Sequence, residues 1–158
     1  MKKALLILLL AASATTYGQS KLASQDISVN GFRNPSIGLE YRYHRFSAHA
    51  GYYLTNFTSG VTTRFVKTGV TFWFGALGKK PIPSSFYASA SYLRGLSRAY
   101  EGKNAYVGEV GFRWMVWKGL NLRIGVAALV ANGESLKINP TPGISYTFLL
   151  KGKQPKAN

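Results

Sequence analysis

The residues able to do chemistry are few and clustered. Glu40, His44, Ser47 and His49 fall within one short segment. A hydroxyl, an imidazole and a carboxylate are the parts of a nucleophile, its base and its orienter, so hydrolysis is the chemistry this cluster would carry. His44 and His49 could also begin a metal site. Placement weighs against both readings. His44 falls at a tight turn, His49 on the polar face of a strand, and no third metal ligand is in view. Phosphate-binding glycine loops and dinucleotide fingerprints are absent. The expectation is no catalytic residue, no metal and no cofactor.

The second chemically capable set is charged. Glu40, Arg42, Lys67, Glu109, Arg113 and Arg123 all fall on the polar parity of alternating segments. Charges that share a narrow interior are costly unless paired, so these six are expected to form an ion-pair network. The wider balance is strongly basic. The 158 residues carry 20 Lys and Arg against 5 Asp and Glu, a formal net charge of +15. There is no cysteine, which excludes a disulfide scaffold and any thiolate metal site. Hydrophobic content of 46% and aromatic content of 14% exclude a disordered basic tail. A charge of this size suggests nucleic acid or an anionic membrane surface.

The N-terminus decides between them. Met1-Lys2-Lys3 is a short basic start, Ala4 to Ala12 is an unbroken apolar run, and Ser13 to Gly18 is small and polar. This is the order of a secretory signal peptide, and the apolar run is too short to span a bilayer as a helix. Residues 1–19 are therefore read as a signal peptide. Export removes nucleic acid as a partner and leaves anionic lipid.

Elements that could position these groups are strands. Alternation of apolar and polar residues recurs over Ser36 to His44, Phe46 to Thr55, Arg64 to Phe74, Ser85 to Leu93, Ala105 to Trp117, Leu120 to Ala131 and Gly143 to Leu150, with Leu22 to Phe32 a weaker eighth. These runs suit the ~9–11 residues of a tilted membrane-crossing strand better than the ~5–6 of soluble sheets. His44-Arg45 and Lys118-Gly119 read as tight turns. Residues 56–63, 95–104 and 132–141 read as longer polar loops, and 75–84 as a long connection at the short-turn end.

Which face is greasy follows from composition. The face opposite the apolar residues collects Gly, Ser, Thr and charge, which suits a packed polar lumen better than a solvated surface. Aromatics such as Tyr41, Tyr43, Phe72, Tyr92, Trp114 and Phe148 gather near strand ends, as in interfacial girdles. The fold class is thus all-β, an eight-stranded antiparallel up-and-down transmembrane β-barrel over 20–150, followed by a basic tail at 151–158.

The signal peptide, the alternating strands and the last strand, Gly143-Ile144-Ser145-Tyr146-Thr147-Phe148, resemble the small outer-membrane barrel superfamily that includes the outer-membrane protein A transmembrane domain. The resemblance is architectural. With the reading of the residues, it leads to the expectation of an integral outer-membrane component of a Gram-negative bacterium with a structural or interaction role, including that of a subunit in an envelope complex with a protein partner. Arg33, Arg64, Arg94, Arg98, Lys103 and Lys137 fall near the long-loop end, where they could meet lipopolysaccharide phosphates. Three alternatives stay open: a narrow channel, a lipid A-modifying enzyme and a soluble exported ligand-binding barrel.

Overall fold

Strict alternation gives each strand one polar and one apolar face, and the chain satisfies both by closing the sheet on itself. The computed structural model describes residues 22, 25–32, 36–58, 61–78 and 82–150. The segment read as a signal peptide and the basic tail lie outside the described residues, as does Arg33. The strands are β1 (Gln25–Gly31), β2 (Ile37–Tyr43), β3 (Phe46–Thr58), β4 (Val61–Leu77), β5 (Ser84–Gly95), β6 (Asn104–Trp117), β7 (Leu120–Ala131), β8 (Lys137–Pro140) and β9 (Gly143–Leu149). A short 3-10 turn, Arg98–Tyr100, lies between β5 and β6.

From β1 to β7, each strand pairs antiparallel with the next, and β9 pairs with β1 to close the barrel. Strands β8 and β9 are two segments of one barrel strand. The first lies along Val126–Leu129 of β7, the second along Leu120–Arg123. Pro142 has no N–H to give to a ladder, so the strand breaks there. Thr141 bridges the gap by donating its N–H to the Gly125 carbonyl at 2.8 Å. The closed antiparallel barrel therefore has eight strand positions, as the alternation predicts.

Three boundaries differ from the expectation. The loop read over 56–63 is strand on both sides, with β3 running to Thr58 and β4 starting at Val61. The connection read over 75–84 shortens to 78–83, because β4 continues to Leu77 past a bulge between Phe74 and Leu77. A bulge admits extra residues without ending the pairing, which alternation cannot register. Lys137, read as a loop residue, opens β8 and pairs with Leu129. The barrel is also uneven: β1, β2 and β9 have 7 residues each, whereas β4 has 17.

The two tight turns are where they were expected. His44 and Lys118 carry positive φ, of 54° and 39°, as the reversal of a twisted hairpin requires. These turns, with Leu77 at the end of β4 and Ser84 at the start of β5, mark one end of the barrel, called here the turn end. The opposite end, where β3 meets β4 and where the connections 96–103 and 132–136 lie, is the loop end.

Candidate functional site: the charged interior

The polar parity of every strand points inward. In β2, Gly38, Glu40 and Arg42 are buried while Ile37, Leu39, Tyr41 and Tyr43 are exposed. The interior holds all six charges expected there: Glu40, Arg42, Lys67, Glu109 and Arg113 are buried, and the Arg123 side chain is 9% exposed. It also holds Asp26, which the six omitted. Asp26 sits directly opposite Arg42 across the β1–β2 ladder and forms an ion pair with it.

Two further ion pairs join these groups. Lys67 Nζ donates to Glu109 Oε2 at 3.2 Å. Glu109 Oε1 accepts from Tyr87 Oη at 2.7 Å and from Thr141 Oγ1 at 2.9 Å. Arg123 Nη2 donates to Glu40 Oε2 at 2.7 Å, and Ser47 donates its hydroxyl to the other oxygen of Glu40. Arg113 is the exception. Its residue is 0% exposed, and its guanidinium donates from Nη2 to Ser85 Oγ at 3.2 Å. Among the described residues, no carboxylate stands within ion-pair distance of it. Asp26, Glu40, Glu109 and Glu134 are taken by Arg42, Arg123, Lys67 and Lys103, and Glu101 is exposed on the 96–103 loop.

Trp73 organises this end of the interior. Its ring lies 4.2 Å from the Arg113 guanidinium and 5.2 Å from that of Arg123, both within cation–π range. Its Nε1 donates to Ser47 Oγ at 2.8 Å. A line of hydrogen bonds thus runs from Trp73 through Ser47 to Glu40 and Arg123.

Glycines make room for the long side chains. Tyr87 pairs with Gly111 across β5–β6, and Gly111 pairs with Gly125 across β6–β7. A Cβ at Gly111 would stand 2.6 Å from Tyr87 Oη, and one at Gly125 would stand 2.8 Å from it. The tyrosine thus lies across two bare strands, and this lets its hydroxyl reach Glu109. His49 does the same over Gly69, its register partner, to meet Ser91 on β5.

The hydrolytic cluster is not assembled. His49 Nε2 is 3.0 Å from Ser91 Oγ and its Nδ1 is 3.2 Å from Thr71 Oγ1, so its partners are not Ser47. Ser47 is committed to Glu40 and Trp73. His44 is exposed at its turn, with its ring against Tyr43. Base and nucleophile therefore belong to different hydrogen-bond sets.

At the loop end the interior changes character. Tyr53, Phe65, Leu93, Tyr100, Ala105, Val107, Ala127, Leu129 and Ala131 form one buried apolar cluster. Tyr100 enters it from the loop, with its ring 5.3 Å from that of Phe65. Gly95 permits this approach, since a Cβ there would lie 1.8 Å from the Tyr100 carbonyl oxygen. The interior is thus a charged layer toward the turns capped by an apolar layer toward the loops.

The basic residues expected near the loop end divide. Arg64, Arg94 and Arg98 are exposed. Arg64 and Arg94 lie on strands and share the outward parity of Val66 and Tyr92. Arg94 Nη1 donates to Asn104 Oδ1 at 2.6 Å, and Tyr92 Oη donates to the same oxygen at 2.8 Å. Lys103 pairs with Glu134 at 2.7 Å. Lys137 is half-buried.

Fold and interior together define a closed eight-stranded antiparallel β-barrel with a charged, solvent-shielded interior and an apolar exterior. No protein-family model, curated protein or solved structure matches the chain.

Proposed function

We propose that this protein is an integral outer-membrane β-barrel of a Gram-negative bacterium, exported by its N-terminal signal peptide, with a structural or interaction role and no catalytic activity. The observation that carries the reading is the inversion of polarity. Charged and hydroxylated side chains fill the interior, whereas Leu39, Phe46, Val110, Ile124 and Ile138 stand on the outer wall at 60% exposure or more. Water-soluble barrels bury such residues, because each large aliphatic or aromatic side chain left in water forgoes ~1.5–3 kcal/mol of burial. A lipid-facing wall needs them outside. Aromatic rings line that wall in contact chains, with Phe46 and Phe72 at 5.2 Å, Phe86 and Phe112 at 4.9 Å, and Tyr146 and Phe148 at 4.8 Å. The resemblance to small outer-membrane barrels supports the same reading.

The role is that of a plugged barrel. Paired charges and the Tyr100 cluster fill the interior, so the barrel offers partners its wall and its loop end. Outer-membrane lipid would meet the wall, and a protein subunit of an envelope complex could share it. Arg94 shares Asn104 Oδ1 with Tyr92, whose ring lies 5.9 Å from that of Tyr106, and Arg64 and Arg98 are exposed near the same end. Lipopolysaccharide phosphates would gain ~1 kcal/mol for each such cation near the surface.

Membrane fractionation with electrophoresis before and after heating tests the reading. The expected result is retention in the outer-membrane fraction through carbonate washing, with a heat-dependent mobility shift. Recovery in the soluble periplasmic fraction, with one mobility, would overturn it.

A further inference from the structure

We propose that the turn-end interior binds one small monovalent inorganic anion of the chloride class, held by the Nε–H groups of Arg113 and Arg123. This rests on the chemistry of the interior alone and does not depend on what the outer wall faces.

The first observation is charge balance. Arg42, Lys67, Arg113 and Arg123 share the interior with Asp26, Glu40 and Glu109, which leaves one positive charge over. The excess is localised, because Arg113 is the guanidinium without a carboxylate. An isolated buried charge is among the most costly features a fold can hold.

Register makes the cost worse. Arg113 and Arg123 are direct cross-strand partners on β6 and β7, both pointing inward. Like charges placed opposite each other on one face repel. The Trp73 ring, within cation–π range of both, eases this but adds no negative charge. The Nε–H groups of both arginines are buried with no acceptor among the described residues. Two donors without acceptors, on two opposed cations, need an acceptor that is also an anion. A water molecule would satisfy the donors and leave the charge.

Size and valence follow from the surroundings. Neighbouring interior positions are tight: a single added carbon at Gly111 or Gly125 would already collide with Tyr87. An organic anion or a lipid headgroup does not fit such a layer, whereas a monatomic ion needs little more room than a water. One uncompensated charge calls for one negative charge.

Thermal unfolding of the purified full chain tests this at constant ionic strength, with chloride exchanged stepwise for gluconate. The expected result is a midpoint that rises by several degrees with chloride and saturates, with bromide replacing chloride. Arg113→Gln should lose this dependence, and in gluconate it should unfold above the wild-type protein. An identical wild-type midpoint in chloride and gluconate would overturn the proposal, as would an Arg113→Gln protein that keeps the halide response. Should that variant not fold, wild-type crystals grown in bromide decide. Anomalous density against the Arg113 guanidinium supports the site, and its absence there in diffracting crystals rejects it.

Discussion

Lys67 Nζ lies 3.2 Å from Glu109 Oε2, with both side chains buried, although their strands β4 and β6 are not neighbours. The pair spans the interior behind β5, and β5 supplies Tyr87 to the same carboxylate. Glu109 is therefore a junction that satisfies a cation and two hydroxyl donors at once. Glu109→Ala takes the shared carboxylate from all three, and removing one partner of a buried pair costs ~3–5 kcal/mol. Urea unfolding in detergent should show a loss of this size. Replacing both partners, Lys67→Met with Glu109→Leu, should recover the part owed to the cation, because neither half of this pair is then left charged, while Tyr87 and Thr141 still lose their acceptor. A double variant as unstable as the single one would mean that packing, not charge, sets the cost.

Much of this interior was legible from parity. Once Ile37, Leu39 and Tyr41 share a face, Glu40 and Arg42 must share the other, and the structure places all six expected charges inside. Partner choice was not legible. Arg123 meets Glu40 because β9 and β1 between them close the barrel, and closure shifts register in a way no local pattern records. Asp26 has the same parity, but it lies in the weakest of the alternating runs. The apolar layer was harder still. Leu93, Val107 and Leu129 occupy inward parity near the loop end, where hydrophobic side chains blur the alternation. Tyr100 has no period to betray it, since it lies in a loop and is buried by tertiary contact alone.

Gly95 offers a test of that loop. Its missing Cβ lets the backbone at Tyr100 pack against β5, with the Gly102 N–H donating to the Gly95 carbonyl at 3.0 Å. Gly95→Ala forces a backbone collision that no rotamer change relieves, and overpacking of this kind costs ~1–3 kcal/mol. The barrel should survive while the loop lifts. Limited trypsin digestion should then cut at Arg98 several times faster than in the wild-type protein, with strand content by circular dichroism unchanged. Equal cleavage rates would show that the loop is not held by this contact.

The outer wall gives a test that separates lipid from water. Val70 is 59% exposed on β4, between Ala48 and Ala90 in the register. In water, Val70→Arg should change stability by no more than ~0.5 kcal/mol, as surface substitutions do. In a bilayer, Arg near the midplane of a barrel wall costs ~2–4 kcal/mol. The expected outcome is the larger loss, measured by denaturant unfolding from liposomes. A value near zero there would argue that this part of the wall does not face hydrocarbon.

Tyr100 provides a pH signature outside the strands. Burial against Phe65 pushes its phenol above the ordinary value of 10.0, and the Glu134 carboxylate pushes it the same way. The folded state thus holds the proton more tightly than the unfolded chain. This contribution is complete below pH ~10, where both states are protonated, and it declines as pH rises past that point because the unfolded chain ionises first. Tyr100→Phe has no proton to lose. Its unfolding midpoint should therefore fall less than that of the wild-type protein between pH 9 and pH 11, while the lysines contribute alike to both. Parallel alkaline losses in the two proteins would remove the buried phenol as a cause, and would place Tyr100 in contact with water at the barrel mouth.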